Sequence, residues 1–187
     1  MKRAVFDLDH TLIHWGRPFW HIAADFAGIP VTSLPYPDHY GLDVWDTVPT
    51  VKQMMIRMFN SEWFMCQAVK PKIFAPNVIS TLWSAGYELH IVTARVKKLK
   101  IPTMNLVFRM FGYGVDVHVV EPSESKMPII EDLNPTIYVD DNEKDLRVVA
   151  ALTDARVYIV DAPWNRDASI PHAFRVEWLD QIIQMEL

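Results

Sequence analysis

Ala4-Val5-Phe6-Asp7-Leu8-Asp9-His10-Thr11 begins as an apolar strand and runs directly into two acids. Successive side chains of a strand point to opposite faces, so Asp7 and Asp9 fall on the same side. Two carboxylates held together repel unless a cation or a proton stands between them. Aspartates after a strand also begin turns or cap helices, and the octapeptide alone leaves both roles open. The rest of the chain supplies the context. Short runs rich in β-branched and aromatic residues at 3–8, 87–92, 116–119, 136–139 and 156–160 are separated by helix-length segments. That alternation predicts an α/β, Rossmann-like chain with a parallel five-stranded sheet flanked by crossover helices. Four runs end on polar residues: Asp7-Leu8-Asp9, Thr93-Ala94-Arg95, Asp140-Asp141, and Asp161 followed by Pro163-Trp164-Asn165. Ligands of open parallel sheets bind beyond the carboxyl ends of the strands, so a site is expected there.

Residues 14–72 break the rhythm, because they separate the first two strands and contain no convincing strand of their own. They read as a helical insertion punctuated by Pro30, Pro35, Pro37 and Pro49. Within it, Val51, Met54, Met55, Met58 and Phe59 recur at spacings of three and four, predicting a helix over 47–65 with one apolar face. Further helices are expected over 76–85, ending at Gly86, and over 125–133, 144–152 and 177–185. The division is therefore a core of residues 1–13 and 73–187 and an inserted unit of residues 14–72.

A chain of 187 residues, half of them apolar and 22% charged, is long enough to bury a hydrophobic core. With 23 acidic residues against 18 basic ones, its net charge of −5 offers no field for extended nucleic acid. Cys66 is the single cysteine, which excludes an internal disulfide or a cysteine-rich metal cluster and fits a reducing cytoplasm. Asp7 and Asp9 interrupt the first apolar run too early for a signal peptide, and no run approaches the roughly 20 apolar residues of a membrane span.

Taken in order, four of these features resemble the signatures of haloacid dehalogenase (HAD) superfamily phosphatases. Asp7-Leu8-Asp9-His10-Thr11 resembles the first, Thr93 at the end of its strand the second, Lys126 the third, and Asp140-Asp141 the fourth in its paired-acid form. The resemblance covers nearly the whole chain outside the insertion. His10 departs from it, standing where many relatives have glycine. The resemblance implies that Asp7 is a nucleophile forming an aspartyl-phosphate and that Asp9 is the general acid and base. It implies that Thr93 and Lys126 hold the phosphoryl group, with Leu8, Ala94 and Arg95 beside them. It also implies Mg2+ bound by Asp7, the main-chain carbonyl of Asp9, Asp140 and Asp141, with Asp145 as an additional acid nearby. In such proteins an insertion at residues 14–72 acts as a small helical cap over the site.

The implied partner is a small phosphorylated substrate. Thr93-Ala94-Arg95 and Asp161-Ala162-Pro163-Trp164-Asn165-Arg166 resemble relatives of the 5'(3')-deoxyribonucleotidase type, which makes nucleoside monophosphates the favoured class and Asn165 a substrate contact. Trp20, with Trp15, Phe19, Tyr36, Tyr40 and Trp45, serves either to stack on a flat group or as core of the insertion. Sugar phosphates, other small metabolites and 3'-phosphate ends of nucleic acid stand as alternatives, as do phosphotransfer to a second acceptor and a binding protein that has lost activity.

Overall fold

The computed structural model describes residues 1–14, 16–33, 48–112 and 114–187, apart from the side chains of residues 16–18 and 20. Six strands form one parallel sheet. In chain order they are β1 (Lys2–Phe6), β4 (Tyr87–Ala94), β5 (Val115–Val120), β6 (Ile137–Asp140), β7 (Arg156–Val160) and β8 (Phe174–Val176). Their spatial order is β5-β4-β1-β6-β7-β8. Two further strands, β2 (Ile13–His14) and β3 (Lys70–Pro71), pair antiparallel where the insertion leaves and rejoins the core.

The expected five strands are thus a sixth short. β8 is three residues long, with Phe174 and Arg175 exposed and only Val176 buried, so it carries too few apolar residues to show a strand pattern. What makes it a strand is pairing with β7, Tyr158 against Phe174 and Val160 against Val176. The β2–β3 ladder is likewise only two residues a side, and Pro71 in it gives no sequence cue.

Helices cover both faces of the sheet. α3 (Ala75–Ser84), α4 (Lys100–Phe111) and α7 (Asp180–Glu186) contribute Leu82, Leu106 and Ile182 to one core, together with Ala4, Phe6 and Leu8 of the first strand and its turn. α5 (Met127–Leu133) and α6 (Glu143–Leu152) bring Ile130, Leu146 and Val149 to the other, which takes Val5. A central strand whose neighbours enter two separate cores is buried on both faces, and Ala4, Val5 and Phe6 are fully inaccessible. At roughly 1.5–3 kcal/mol for each large apolar side chain so buried, this strand is the anchor of the fold.

Apart from His14 of β2 and the short β3, the elements in the described part of the insertion are helical: α1 (Gly16–Ala27), a 3-10 turn at Val31–Ser33, and α2 (Pro49–Phe59) followed by a π-helical segment, Trp63–Ala68. α2 buries Val51, Met55 and Met58 as their spacing predicts. It stops at Phe59, short of the expected 65, because Asn60 closes it and turns its own side-chain amide back onto the Ile56 carbonyl. Phe19 is buried with Met55, Met58 and Met65 in the same core as Phe6 and Leu8, so it packs inside the protein. Trp15, Tyr36, Tyr40 and Trp45 lie outside the described residues, as does the side chain of Trp20. At the other end of the chain, Glu186 accepts hydrogen bonds from Tyr87 and Tyr158 and pairs with Arg156, which fastens α7 to the sheet. Among the described residues no helix is long and apolar enough to cross a membrane.

Candidate active site

The main-chain N–H of Asp7 donates to the Val139 carbonyl at 2.8 Å, so the β1–β6 ladder continues one residue past β1 and sets Asp7 next to Asp140. A tight turn follows. The Leu8 carbonyl accepts from both Leu12 and Ile13, at 3.0 and 3.1 Å, and His10 N–H donates to Ile13 at 3.0 Å. His10 sits in this turn at φ 63°. Left-handed backbone costs a non-glycine residue roughly 1–2 kcal/mol, which is the physical content of the histidine-for-glycine departure. Its ring meets Trp164 edge-on with centroids 4.7 Å apart, and burial lowers its pKa to about 3 against the pull of Asp9, so it is neutral. Leu8 has a fully buried side chain, which leaves its main chain as the part able to meet a ligand.

Asp7, Asp140 and Asp141 each present an oxygen within 4.8 Å of the others. Lys126, at the cap of α5, reaches in with Nζ 2.8 Å from Asp7, 3.0 Å from Asp140 and 3.1 Å from Asp145. Burial is the largest influence on Asp7 and pushes its carboxyl well above the usual range. Lys126 pulls it down, while Asp140, Asp141 and Asp9 push it further up. Asp141 is pushed up to about 7, first by burial and then by Asp140, although Thr11, Lys72 and Trp164 oppose the shift. Burial disfavours the charge of Lys126, but Asp140 and Asp7 hold it protonated well above the ordinary lysine range.

A charge count tests whether a cation fits. With every carboxyl ionised, the buried charged groups among the described residues are Asp7, Asp9, Asp140 and Asp141 against Arg95 and Lys126, four negative charges against two positive. The excess of two is what one divalent cation neutralises, and the donors are all hard oxygens of the type Mg2+ takes. The residues present therefore fit such an ion.

Asp9 does not turn its carboxylate into this trio. Arg95 takes both of its oxygens, Nε at 2.7 Å and Nη2 at 2.6 Å. The remaining guanidinium nitrogen donates to the Met65 carbonyl at 2.9 Å and lies 3.3 Å from Thr103 Oγ1 and 3.6 Å from Cys66 Sγ. Arg95 is 2% exposed, and each of its nitrogens is engaged with the protein, which argues against the direct anion contact expected of it. Thr93, fully buried at the end of β4, has its hydroxyl 3.4 Å from Asp9. Ala94 is exposed just beyond it.

Asn165 is also committed internally. Its amide nitrogen donates to the Asp141 and Val160 carbonyls, and its oxygen accepts from Ala162 N–H and Arg175. With 1% exposure and both polar atoms occupied, it braces the loop after β7 in place of the expected substrate contact. Asn165→Ala is expected to lower stability by about 2–3 kcal/mol, since it takes the Asn165 amide from the buried main-chain groups of Ala162, Asp141 and Val160, and urea denaturation measures this. Two site residues were not assigned a role from sequence. Thr11 Oγ1 donates to Asp141 at 2.8 Å, and the Trp164 indole N–H donates to its other oxygen at 2.9 Å. Thr11 stands within the first quoted motif, whereas nothing in the sequence marks Trp164 as the partner of an acid.

This arrangement of parallel sheet and crossover helices is the fold of HAD-type hydrolases. Across 100% of this chain and 98% of its own, a protein assigned as a phosphoglycolate phosphatase from Lactobacillus delbrueckii matches with a TM-score of 0.69 at 12% identity. A dehalogenase matches with a TM-score of 0.65 at 13% identity, over 99% and 96% of the two chains. A HAD phosphatase from Thermococcus onnurineus matches with a TM-score of 0.60 at 13% identity, over 99% and 97%. No protein-family model matches the sequence, and no curated protein does.

Proposed function

We propose that the chain is a Mg2+-dependent phosphomonoester hydrolase in which Asp7 is the nucleophile. The observation that carries this reading is the convergence of Asp7, Asp140 and Asp141 within 4.8 Å, with the Lys126 ammonium 2.8 Å from Asp7. Dehalogenation needs no second acid, so Asp9 favours a phosphate ester.

In this reading an oxygen of Asp7 attacks phosphorus in line while the ester P–O bond breaks, and an aspartyl-phosphate forms. Asp9, paired as a carboxylate with Arg95 in the free protein, takes up a proton when the ester binds and gives it to the departing oxygen. It then takes a proton from the water that attacks phosphorus, and the Asp7–P bond breaks to release phosphate. Lys126 holds Asp7 and a phosphoryl oxygen, and Thr93 donates to another. Asp7, Asp140, Asp141 and the Asp9 carbonyl would hold Mg2+, which supplies positive charge against the repulsion between anionic nucleophile and anionic ester. Residues 14–72 form the cap that shields this chemistry.

The substrate class proposed is nucleoside monophosphates. Its support is the sequence resemblance of Thr93-Ala94-Arg95 and the segment from Asp161 to Arg166. The internal commitments of Arg95 and Asn165 leave recognition of the leaving group to the cap. Phosphate release from nucleoside monophosphates, sugar phosphates and 3'-phosphorylated oligonucleotides separates the classes. Turnover of sugar phosphates alone would remove the nucleotide reading, and turnover of nothing would leave a binding protein.

The ion has its own test. Asp7 and Asp141 titrate above their ordinary values, so their favourable contribution is present below about pH 4 and is lost as pH rises through their raised values, about 7 for Asp141. A divalent cation competes with those protons. Millimolar MgCl2 is therefore expected to raise Tm more at pH 8 than at pH 5; equal shifts would mean that these carboxylates do not hold it.

A further inference from the structure

We propose that Arg95 is a positioning residue that ties the acid–base carboxylate of Asp9 to the inserted segment, so that the seating of the insertion sets the alignment of Asp9. This inference rests on the phosphomonoesterase reading above. Its basis is geometric. Arg95 spans three parts of the chain: the turn after β1 through both Asp9 oxygens, the π-helical return of the insertion through Met65 and Cys66, and α4 through Thr103. A bidentate guanidinium–carboxylate pair fixes the plane of the carboxylate as well as its position. The same return segment is held a second time, by Arg109 donating to the Cys66 carbonyl. A shift of Trp63–Ala68 therefore moves Arg95, and through it Asp9, without displacing Asp7, which is held by Val139 and Lys126.

A group that delivers protons is sensitive to placement, and its value depends on what departs. A nitrophenolate leaves without a proton, whereas an alkoxide requires one. Misplacing Asp9 thus slows the departure of an alkoxide far more than that of nitrophenolate, while the later hydrolysis of the aspartyl-phosphate slows equally for both; general loosening of the fold does not produce the first difference.

The experiment compares the rate of leaving-group release in a single turnover, with enzyme in excess so that hydrolysis of the aspartyl-phosphate does not enter, on p-nitrophenyl phosphate and on the faster of adenosine 5'-monophosphate and glycerol 2-phosphate. It uses the full chain and the variants Arg95→Met, Arg95→Lys and Thr103→Val, each first shown to be folded by circular dichroism. In the leaving-group step, Arg95→Met is expected to lose about 10²–10⁴-fold on the alkyl ester and under tenfold on the nitrophenyl ester. Added to Asp9→Asn, it is expected to cost nothing further on the alkyl ester, because both changes remove the same function. Thr103→Val, which removes one anchor of the guanidinium and lies outside the chemistry, is expected to show a smaller loss with the same selectivity. It keeps the question open to measurement if Arg95→Met does not fold. Equal losses on the two esters, or full additivity with Asp9→Asn, would overturn the proposal. Wild-type protein that hydrolyses neither ester overturns the phosphatase reading and this inference with it. Full rates in wild type with unselective variants overturn the inference alone.

Discussion

Asp7→Asn is expected to abolish turnover, by a factor of about 10⁴ or more in kcat, while the metal-free protein melts no lower than the parent. Removal of a covalent nucleophile leaves only binding and electrostatic assistance, which accounts for the size of the loss. The stability half follows from the crowding at the site. Asp7 carries a carboxyl whose ionisation burial opposes, with Asp140, Asp141 and Asp9 adding to the repulsion. An amide of the same shape removes that repulsion and still offers an oxygen to Lys126, now 2.8 Å away. The same change removes one oxygen ligand, so the Tm gain on adding MgCl2 shrinks. Parental turnover in this variant would place the nucleophile elsewhere.

Lys126→Met is expected to be the most damaging single change to stability, about 3–5 kcal/mol at pH 8 without added cation, with catalysis lost as well. Lys126 is the shared counter-charge of Asp7, Asp140 and Asp145, and without it three acids face one another inside the protein. Its folded pKa lies well above the ordinary value, so its contribution is fully present at neutral pH and fades only as pH rises far above the usual lysine range. At pH 5 the loss is expected to be smaller, because Asp7 and Asp141 can take up protons and relieve the repulsion. Urea denaturation at the two pH values measures both quantities. A loss that did not change with pH would mean that the lysine acts by packing alone.

The main lines of this arrangement are legible in the sequence because the physics behind them is local. Apolar runs that end on Asp7, Thr93, Asp140 and Asp161 announce strand ends, and a parallel sheet brings strand ends together. Lys126 is identifiable from its place before β6 in a resemblance that fixes order and spacing. What stayed hidden is non-local. Arg95 after a strand looks like any exposed arginine, and only the return of the insertion past Met65 and Cys66 buries it against Asp9. Asn165 in a proline-containing loop looks available to a ligand, until Arg175 and the Asp141 carbonyl claim it. β8 is a strand because β7 lies beside it. α4 is hard to read for a different reason: Lys97, Lys98 and Lys100 make its start a basic run, and its buried face is short, Thr103, Leu106 and Val107.

The central position of β1 also constrains how the molecule comes into being. Its first neighbour is β4, with Lys2 opposite Tyr87, and its second is β6, with Ala4 opposite Ile137. At a synthesis rate of about 5–20 residues per second, the first strand waits roughly ten seconds for its second partner to leave the ribosome. Throughout that interval its greasy edge is open to the wrong company. Pairings so distant along the chain also make for slow refolding. Expression at reduced temperature or with chaperones in excess should therefore raise the yield of this protein more than that of a helical bundle of equal size.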